Sequence, residues 1–251
     1  MKITVLGCGT SGGVPRIGNH WGACDPTNPK NRRRRVSIAV EQGMSRLLVD
    51  TSPDLREQCL DARIERLDAV LYTHDHADHT HGIDDLRALS WTMGGRVPVY
   101  GDEKTLATLM QRFDYVFASK HGYPAICEQR LIEGPFRVGE IPVRPFEQSH
   151  GDIKSIGYRF GKAAYSTDLN GLDEAAFEAL DGIELWIVDA LRYEPHPTHA
   201  HLDLTLSWID RVKPKRAVLT HMTWDMDYEA LKRRLPDGVE PAYDGMVIEL
   251  E

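Results

Sequence analysis

The chain contains no window approaching the roughly 20 apolar residues that span a bilayer. That argues against a membrane protein. It also has no Cys-x-x-Cys pair: Cys8, Cys24, Cys59 and Cys127 are scattered. This disfavours a disulfide framework and favours reduced thiols in the cytoplasm. Positive charge is in deficit, with 30 Lys and Arg against 38 Asp and Glu for a net charge of −8. Without a basic excess, an extensive nucleic-acid surface is not expected. Internal repeats and low-complexity tracts are missing as well. The opening Met1–Leu6 reads as a strand and not a signal peptide, because glycines interrupt it from Gly7. Hydrophobic residues make up 41% of 251 positions, enough for the core of an ordinary globular protein. Length alone permits one large α/β domain or two small ones.

Against these absences stands one dense stretch, Tyr72-Thr73-His74-Asp75-His76-Ala77-Asp78-His79. Positions 74 to 79 hold three histidines and two aspartates. The preceding Asp68–Thr73 reads as a buried strand that stops and delivers the cluster into a loop. Histidines two apart can turn onto one ion, while Asp78 and His79 point to a second position nearby. Neutral imidazole with carboxylate suits zinc, manganese or iron better than calcium.

The rest of the pattern alternates strands and helices. After the first strand, Gly7-Cys8-Gly9-Thr10-Ser11-Gly12 formally spells a dinucleotide fingerprint. That fingerprint must open a helix, and Gly13, Pro15 and Gly18 forbid one here. Tight turns are the expected use, with backbone N–H groups, and Ser11, able to meet an anion. Arg32-Arg33-Arg34-Arg35 is expected to be a solvated edge, or to lend one or two arginines to a substrate phosphate. Strands at 36–40 and 46–50 precede a helix to about Ala62, with Ser52 as N-cap and Pro53 at the first helical position. Helices are also expected at 82–90, 103–113, 172–180, 202–212 and 228–235, and strands at 97–100 and over most of 130–166, 184–189 and 216–220. Residues 114–130 are less regular and suit a lid, a dimer contact or a capped loop. Strands then helix, given twice with no linker, predict a single domain over 1–251: two mixed sheets face to face with helices on both outer sides.

Four further candidate ligands fall at strand ends: His150, Asp168, Asp189 and His221. Groups at the carboxyl ends of strands converge on a common rim. Taken with Asp50 and the 74–79 cluster, the sequence resembles the metallo-β-lactamase superfamily of hydrolases, over nearly the whole chain. The resemblance implies an αββα sandwich with two divalent ions, zinc or manganese. One ion would take His74, His76 and His150, the other Asp78, His79 and His221, with Asp168 bridging both and taking part in catalysis. Asp50 and Asp189 would stand behind the ligands and orient them. Two ions about 3.5–4 Å apart can share a hydroxide and clamp the attacking and leaving oxygens of an in-line displacement. A site near +1 attracts an anionic ester.

A proton for the departing alkoxide must come from elsewhere, and His196-Pro-Thr-His199-Ala-His201 offers three histidines before a helix. Gly7-x-Gly9-Thr10, Gly13-Val14-Pro15, His201-Leu-Asp-Leu204, Leu219-Thr-His221 and Asp244-Gly-Met246 resemble the cyclic-phosphate phosphodiesterases of the carbon–phosphorus lyase pathway. That resemblance implies general-acid work by His201, with His199 as a weaker substrate-side candidate. It implies a small phosphorylated substrate of phosphoribosyl 1,2-cyclic phosphate or 2′,3′-cyclic nucleotide type; a homodimer is compatible with it. The family's structural zinc is not expected, because only Cys24 of its ligand set remains and position 224 is Trp. Trp21 and Trp224 are expected to pack together instead. Competing readings are a tRNA 3′-end endonuclease, which the net charge disfavours, a lactonase or thioesterase, and a non-catalytic nucleotide sensor.

Overall fold

A computed structural model describes residues 1–120 and 122–250. In chain order its strands are β1 (Lys2–Gly7), β2 (Ser37–Gln42), β3 (Ser45–Val49), β4 (Ala69–Leu71), β5 (Val97–Gly101) and β6 (Cys127–Leu131). Then come β7 (Phe136–Val138), β8 (Ile141–His150), β9 (Ile153–Phe160), β10 (Ala163–Ser166), β11 (Leu185–Asp189), β12 (Arg216–Thr220), β13 (Val239–Pro241) and β14 (Val247–Glu249). They form two seven-stranded sheets, ordered β14-β1-β2-β3-β4-β5-β6 and β13-β12-β11-β10-β9-β8-β7. Each is mixed: β3 to β6 and β10 to β13 run parallel, while the remaining pairs are antiparallel. Helices α1 (Leu55–Asp61), α2 (Ala77–Thr80), α3 (Leu86–Met93), α4 (Glu103–Arg112) and α5 (Asp114–Phe117) belong to the first half, and α6 (Glu174–Leu180), α7 (Leu202–Val212) and α8 (Tyr228–Lys232) to the second. This is the expected αββα sandwich.

Period-two alternation builds the layers. Ile3, Val5, Ile38, Val40, Leu47 and Val49 face the other sheet and share a core with Tyr158, Phe160 and Trp186. Their neighbours Leu6, Ala39 and Leu48 face outward and pack with Leu55, Leu86 and Leu106 of the helices. Because β3, β4, β10, β11 and β12 are parallel within their sheets, their carboxyl ends gather at one edge of the sandwich, where such sheets carry ligands. Near that edge the sheets are tied together, Ile156 N donating to Thr73 O at 2.9 Å and Tyr158 Oη to Tyr72 O at 2.5 Å.

Several local expectations are corrected. Ser52 does not cap α1; its hydroxyl accepts from Asp54 N at 3.2 Å and donates to Gln58 Oε1 at 2.9 Å, closing a turn ahead of the helix. The helix expected at 82–90 is a 3-10 turn at Ile83–Asp85 followed by α3. The arginine run is not a solvated edge throughout. Arg33 is 2% exposed and donates from its guanidinium to Thr223 O at 2.9 Å and Met226 O at 2.6 Å. Antiparallel bridging of Val14 with Arg33 turns this one arginine inward. Trp224 packs against the Arg16 guanidinium and the edge of His20, while Trp21 donates to Asn19 Oδ1 at 3.0 Å. The glycine-rich loop after β1 is a close-packed crossing: a Cβ at Gly7 would lie 2.1 Å from Arg35 O. Residues 114–130 form α5 and the start of β6, with His121 outside the described residues.

Candidate metal centre

Each group of the centre stands at the end of a strand or within a few residues after it. Asp50 follows β3, the 74–79 loop follows β4, Asp168 follows β10 by one residue, Asp189 ends β11 and His221 follows β12. His150 ends β8. Asp50, Asp168 and His221 have φ of 63°, 55° and 58°, the left-handed region that residues other than glycine seldom adopt. Three such turns at one rim are local strain concentrated where the chain must reverse to aim a side chain inward.

Donor atoms from distant parts of the chain come together in three overlapping groups. His74, His76, His150 and Asp168 form one, Asp78, His79 and His221 a second, and Asp168, His199 and His221 a third, with the donor atoms of each group within 4.8 Å of one another. Asp168 faces the first two. Its Oδ1 lies 3.8 Å from His74 Nε2 and 3.8 Å from His150 Nε2; its Oδ2 lies 3.1 Å from His79 Nε2 and 3.5 Å from His221 Nε2. Donors on a tetrahedron of ~2.1 Å bonds stand ~3.4 Å apart, so this spacing matches ligands around an ion.

The polar accounting agrees. Nε2 of His74, His79 and His221 are buried and have no hydrogen-bond partner among the described residues, an arrangement too expensive to keep without a ligand. The opposite nitrogens of two of the rings are engaged, His79 Nδ1 donating to Asp50 Oδ2 at 2.7 Å and His150 Nδ1 to Thr198 O at 2.7 Å, while His221 Nδ1 lies 3.8 Å from Asp189 Oδ1 and has no partner among the described residues. Asp50 is itself locked by Thr73, whose N–H and hydroxyl donate to its two oxygens at 2.8 and 2.9 Å. Orienting partners of this kind fix the tautomer and leave Nε2 as the lone-pair side. Charge points the same way. Burial alone would depress His79 and His221, yet Asp168, Asp78 and Asp50 raise the first, and Asp168 and Asp189 push the second up to about 9. Burial does lower His74 and His150. A buried pocket with this surplus of carboxylate calls for cations, and the donor set fits divalent metal.

The seven residues expected as ligands are all brought together. Asp75, within the same stretch, turns away: it accepts from Thr108 Oγ1 at 3.0 Å, and its carbonyl from Arg112 at 2.6 Å, which clips the loop to α4. Ser11 lines the cleft above the cluster, a cavity of about 270 Å³. The two histidines before α7 are placed differently. His201 stands at the N-cap of α7 and does not line the cleft. His199 does, with Nδ1 3.0 Å from Asp189 Oδ2, Nε2 3.9 Å from Asp168 Oδ1, and its ring stacked on His221 at 4.7 Å between centroids. The cause is backbone pairing: Ala200 N donates to Leu169 O at 2.6 Å and Leu191 N to Ala200 O at 2.9 Å, which seats residue 199 against the Asp168 and Asp189 strand ends. Asp189 also accepts from Asp168 N at 3.1 Å, so it orients both the shared carboxylate and His199.

Comparison with known proteins agrees with this geometry. A crystal structure of a diphosphatase from the PhnP family is 40% identical and superposes with a TM-score of 0.93, covering 100% of this chain and 98% of that one. An octanoyltransferase of Porphyromonas gingivalis is 34% identical over 98% of this chain, and a ribonuclease Z of Bradyrhizobium diazoefficiens 28% identical over 54% of it. The chain spans about half the length of those two curated relatives, 51% and 47%. The beta-lactamase superfamily domain matches residues 45–222, from β3 to just past His221. The chain therefore belongs to the metallo-β-lactamase superfamily of hydrolases, close to the PhnP family.

Proposed function

We propose that this protein is a phosphodiesterase that uses two divalent ions, zinc or manganese, to hydrolyse small cyclic phosphates of phosphoribosyl 1,2-cyclic phosphate or 2′,3′-cyclic nucleotide type in the cytoplasm. The observation that carries the reading is Asp168, whose two oxygens face two separate groups of histidines while His199 stands beside it. His74, His76 and His150 would hold one ion and Asp78, His79 and His221 the other, with Asp168 between them. When bound, the ions supply Lewis acidity at the phosphoryl oxygens and a nucleophile at neutral pH.

The chain's own groups do the rest. Asp50 and Thr198 fix the rings of His79 and His150 so that Nε2 faces inward. Asp189 Oδ2 accepts a hydrogen bond from His199 Nδ1 at 3.0 Å, which orients the ring. We assign to His199 Nε2 the proton for the leaving alkoxide, the role expected of His201, which stands two residues along at the N-cap of α7. Similarity to a PhnP-family diphosphatase supports phosphorus as the electrophile. The test is direct: the protein is reconstituted with Mn²⁺ or Zn²⁺, metal content is measured, and bis-p-nitrophenyl phosphate and 2′,3′-cyclic nucleotides are assayed. Two equivalents of metal with turnover of both substrates are expected. A metal-loaded protein inert toward every diester would overturn the proposal.

A further inference from the structure

We propose that Arg16, laid against Trp224 at the rim of the cleft, binds a second anionic group of the substrate, a phosphate carried beyond the scissile one. This rests on the phosphodiesterase reading and assigns a residue to the non-scissile phosphate that one of its two substrate types carries.

The cleft is short of cations. Its lining includes Asp78, Asp152 and Asp168 but no lysine or arginine. A substrate with one diester charge can be met by the metal centre alone, whereas a second phosphate needs a cation of its own. Arg16 is where one stands. Ser11 lines the cleft, and a Cβ on the next residue, Gly12, would lie 3.4 Å from Arg16 Cγ and Nε. Trp224, the other half of the platform, follows the expected ligand His221 by three residues.

The platform is set before any substrate arrives. Arg16 Cζ is 3.9 Å from the Trp224 ring centroid, and His20 meets the same ring edge-on at 6.4 Å between centroids. Arg16 and His20 exchange backbone bonds of 2.9 and 3.2 Å across the loop tip. Ala23 N donates to Trp224 O at 3.0 Å, and Gly22 approaches so closely that a Cβ there would sit 2.8 Å from that indole. A flexible surface arginine would lose rotamer freedom on binding; this one has already lost it.

Its polar edge is unspent. Arg34, Arg35 and Arg46 each have a carboxylate partner, but the exposed Arg16 guanidinium has neither hydrogen bond nor ion pair among the described residues. Stacking occupies one face of a planar guanidinium and leaves its N–H donors radiating from the edge, the geometry that grips a phosphate bidentately. An aromatic base on the outer face is the competing occupant. Edge donors without a carboxylate, in a chain of charge −8, favour the anion.

The experiment compares a 2′,3′-cyclic nucleotide with the same nucleotide carrying an added 5′-phosphate, and with bis-p-nitrophenyl phosphate, for the metal-loaded wild type, Arg16→Gln and Arg16→Lys. Arg16→Gln should lower the kcat/KM ratio of the doubly phosphorylated to the singly phosphorylated nucleotide on the order of tenfold, the loss of a charged hydrogen bond, and through KM. Arg16→Lys should keep part of that preference. An unchanged ratio in Arg16→Gln would overturn the inference. So would equal losses on both nucleotides with none on bis-p-nitrophenyl phosphate, which identify a base-stacking residue. Wild-type turnover of bis-p-nitrophenyl phosphate reports on the phosphodiesterase reading separately; without turnover of any diester, that reading fails and this inference with it.

Discussion

Two histidines two residues apart, His199 and His201, are the rivals for the proposed general-acid role. His199 Nδ1 is held by Asp189 at 3.0 Å, which leaves Nε2 as the free nitrogen beside Asp168. His201 is the N-cap residue of α7: its carbonyl accepts from Thr205 N at 3.0 Å, and its imidazole makes no capping bond. The consequence is measurable with leaving groups of different basicity. His199→Ala should lower kcat on alkyl diesters about 10²–10⁴-fold and on p-nitrophenyl esters far less, because p-nitrophenolate leaves without a proton. Metal content, read by plasma emission spectroscopy, should stay at the wild-type value. His201→Ala should leave that leaving-group dependence in place. A larger effect at 201 than at 199 would reverse the assignment.

At the scale of elements, the rim is held by loops that strands hand to one another, and Arg33 is the clearest case. Its guanidinium bonds two carbonyls of the segment after β12, while its backbone exchanges bonds of 2.8 and 2.9 Å with Val14. The loops carrying Ser11 and His221 are thereby joined through one buried side chain. Arg33→Met fills comparable volume but leaves the carbonyls of Thr223 and Met226 without that donor. Each buried group left unpaired costs about 1–3 kcal/mol, and a fall of several degrees in Tm is expected for a chain of this size. Differential scanning calorimetry would show it, and a variant as stable as the wild type would mean the carbonyls find other donors.

Elements were also where sequence reading was strongest and where it failed for identifiable reasons. Buried parallel strands announce themselves as apolar runs such as Leu185–Val188, and ligands clustered behind one of them, at 74–79, need no tertiary information. Four adjacent arginines, by contrast, are chemically alike; only the bridge to Val14 selects Arg33 for the interior. The choice between His199 and His201 depends on the pairing of Ala200 with Leu169 and Leu191, partners that local sequence does not name. Ser52 and Pro53 carry the residue types of a helix start, but the Ser52 hydroxyl donates to Gln58 and leaves α1 to begin at Leu55.

For the molecule as a whole, the two ends of the chain meet at a buried carboxylate. Asp244 accepts from Cys8 N at 3.1 Å and from Arg34 N at 2.7 Å, joining the turn after β1 to the turn before β14. Burial raises its carboxyl to about 6, even though the Arg34 and Cys8 donors favour the charged form. Unfolding returns the group to water and to about 3.9. The folded chain therefore holds this proton more tightly than the unfolded chain. The stabilisation is complete below about pH 4, shrinks as pH rises, and is gone above about pH 6; integrated across that window it amounts to about 3 kcal/mol. Asp244→Asn removes the titration while keeping one acceptor. Because metal ligands titrate alike in both proteins, the difference in urea unfolding free energy, wild type minus variant, isolates Asp244. It should fall by about 2–3 kcal/mol between pH 4 and pH 7. A difference constant over that range would show that the carboxyl titrates alike folded and unfolded, and that the seam between the chain ends does not desolvate it.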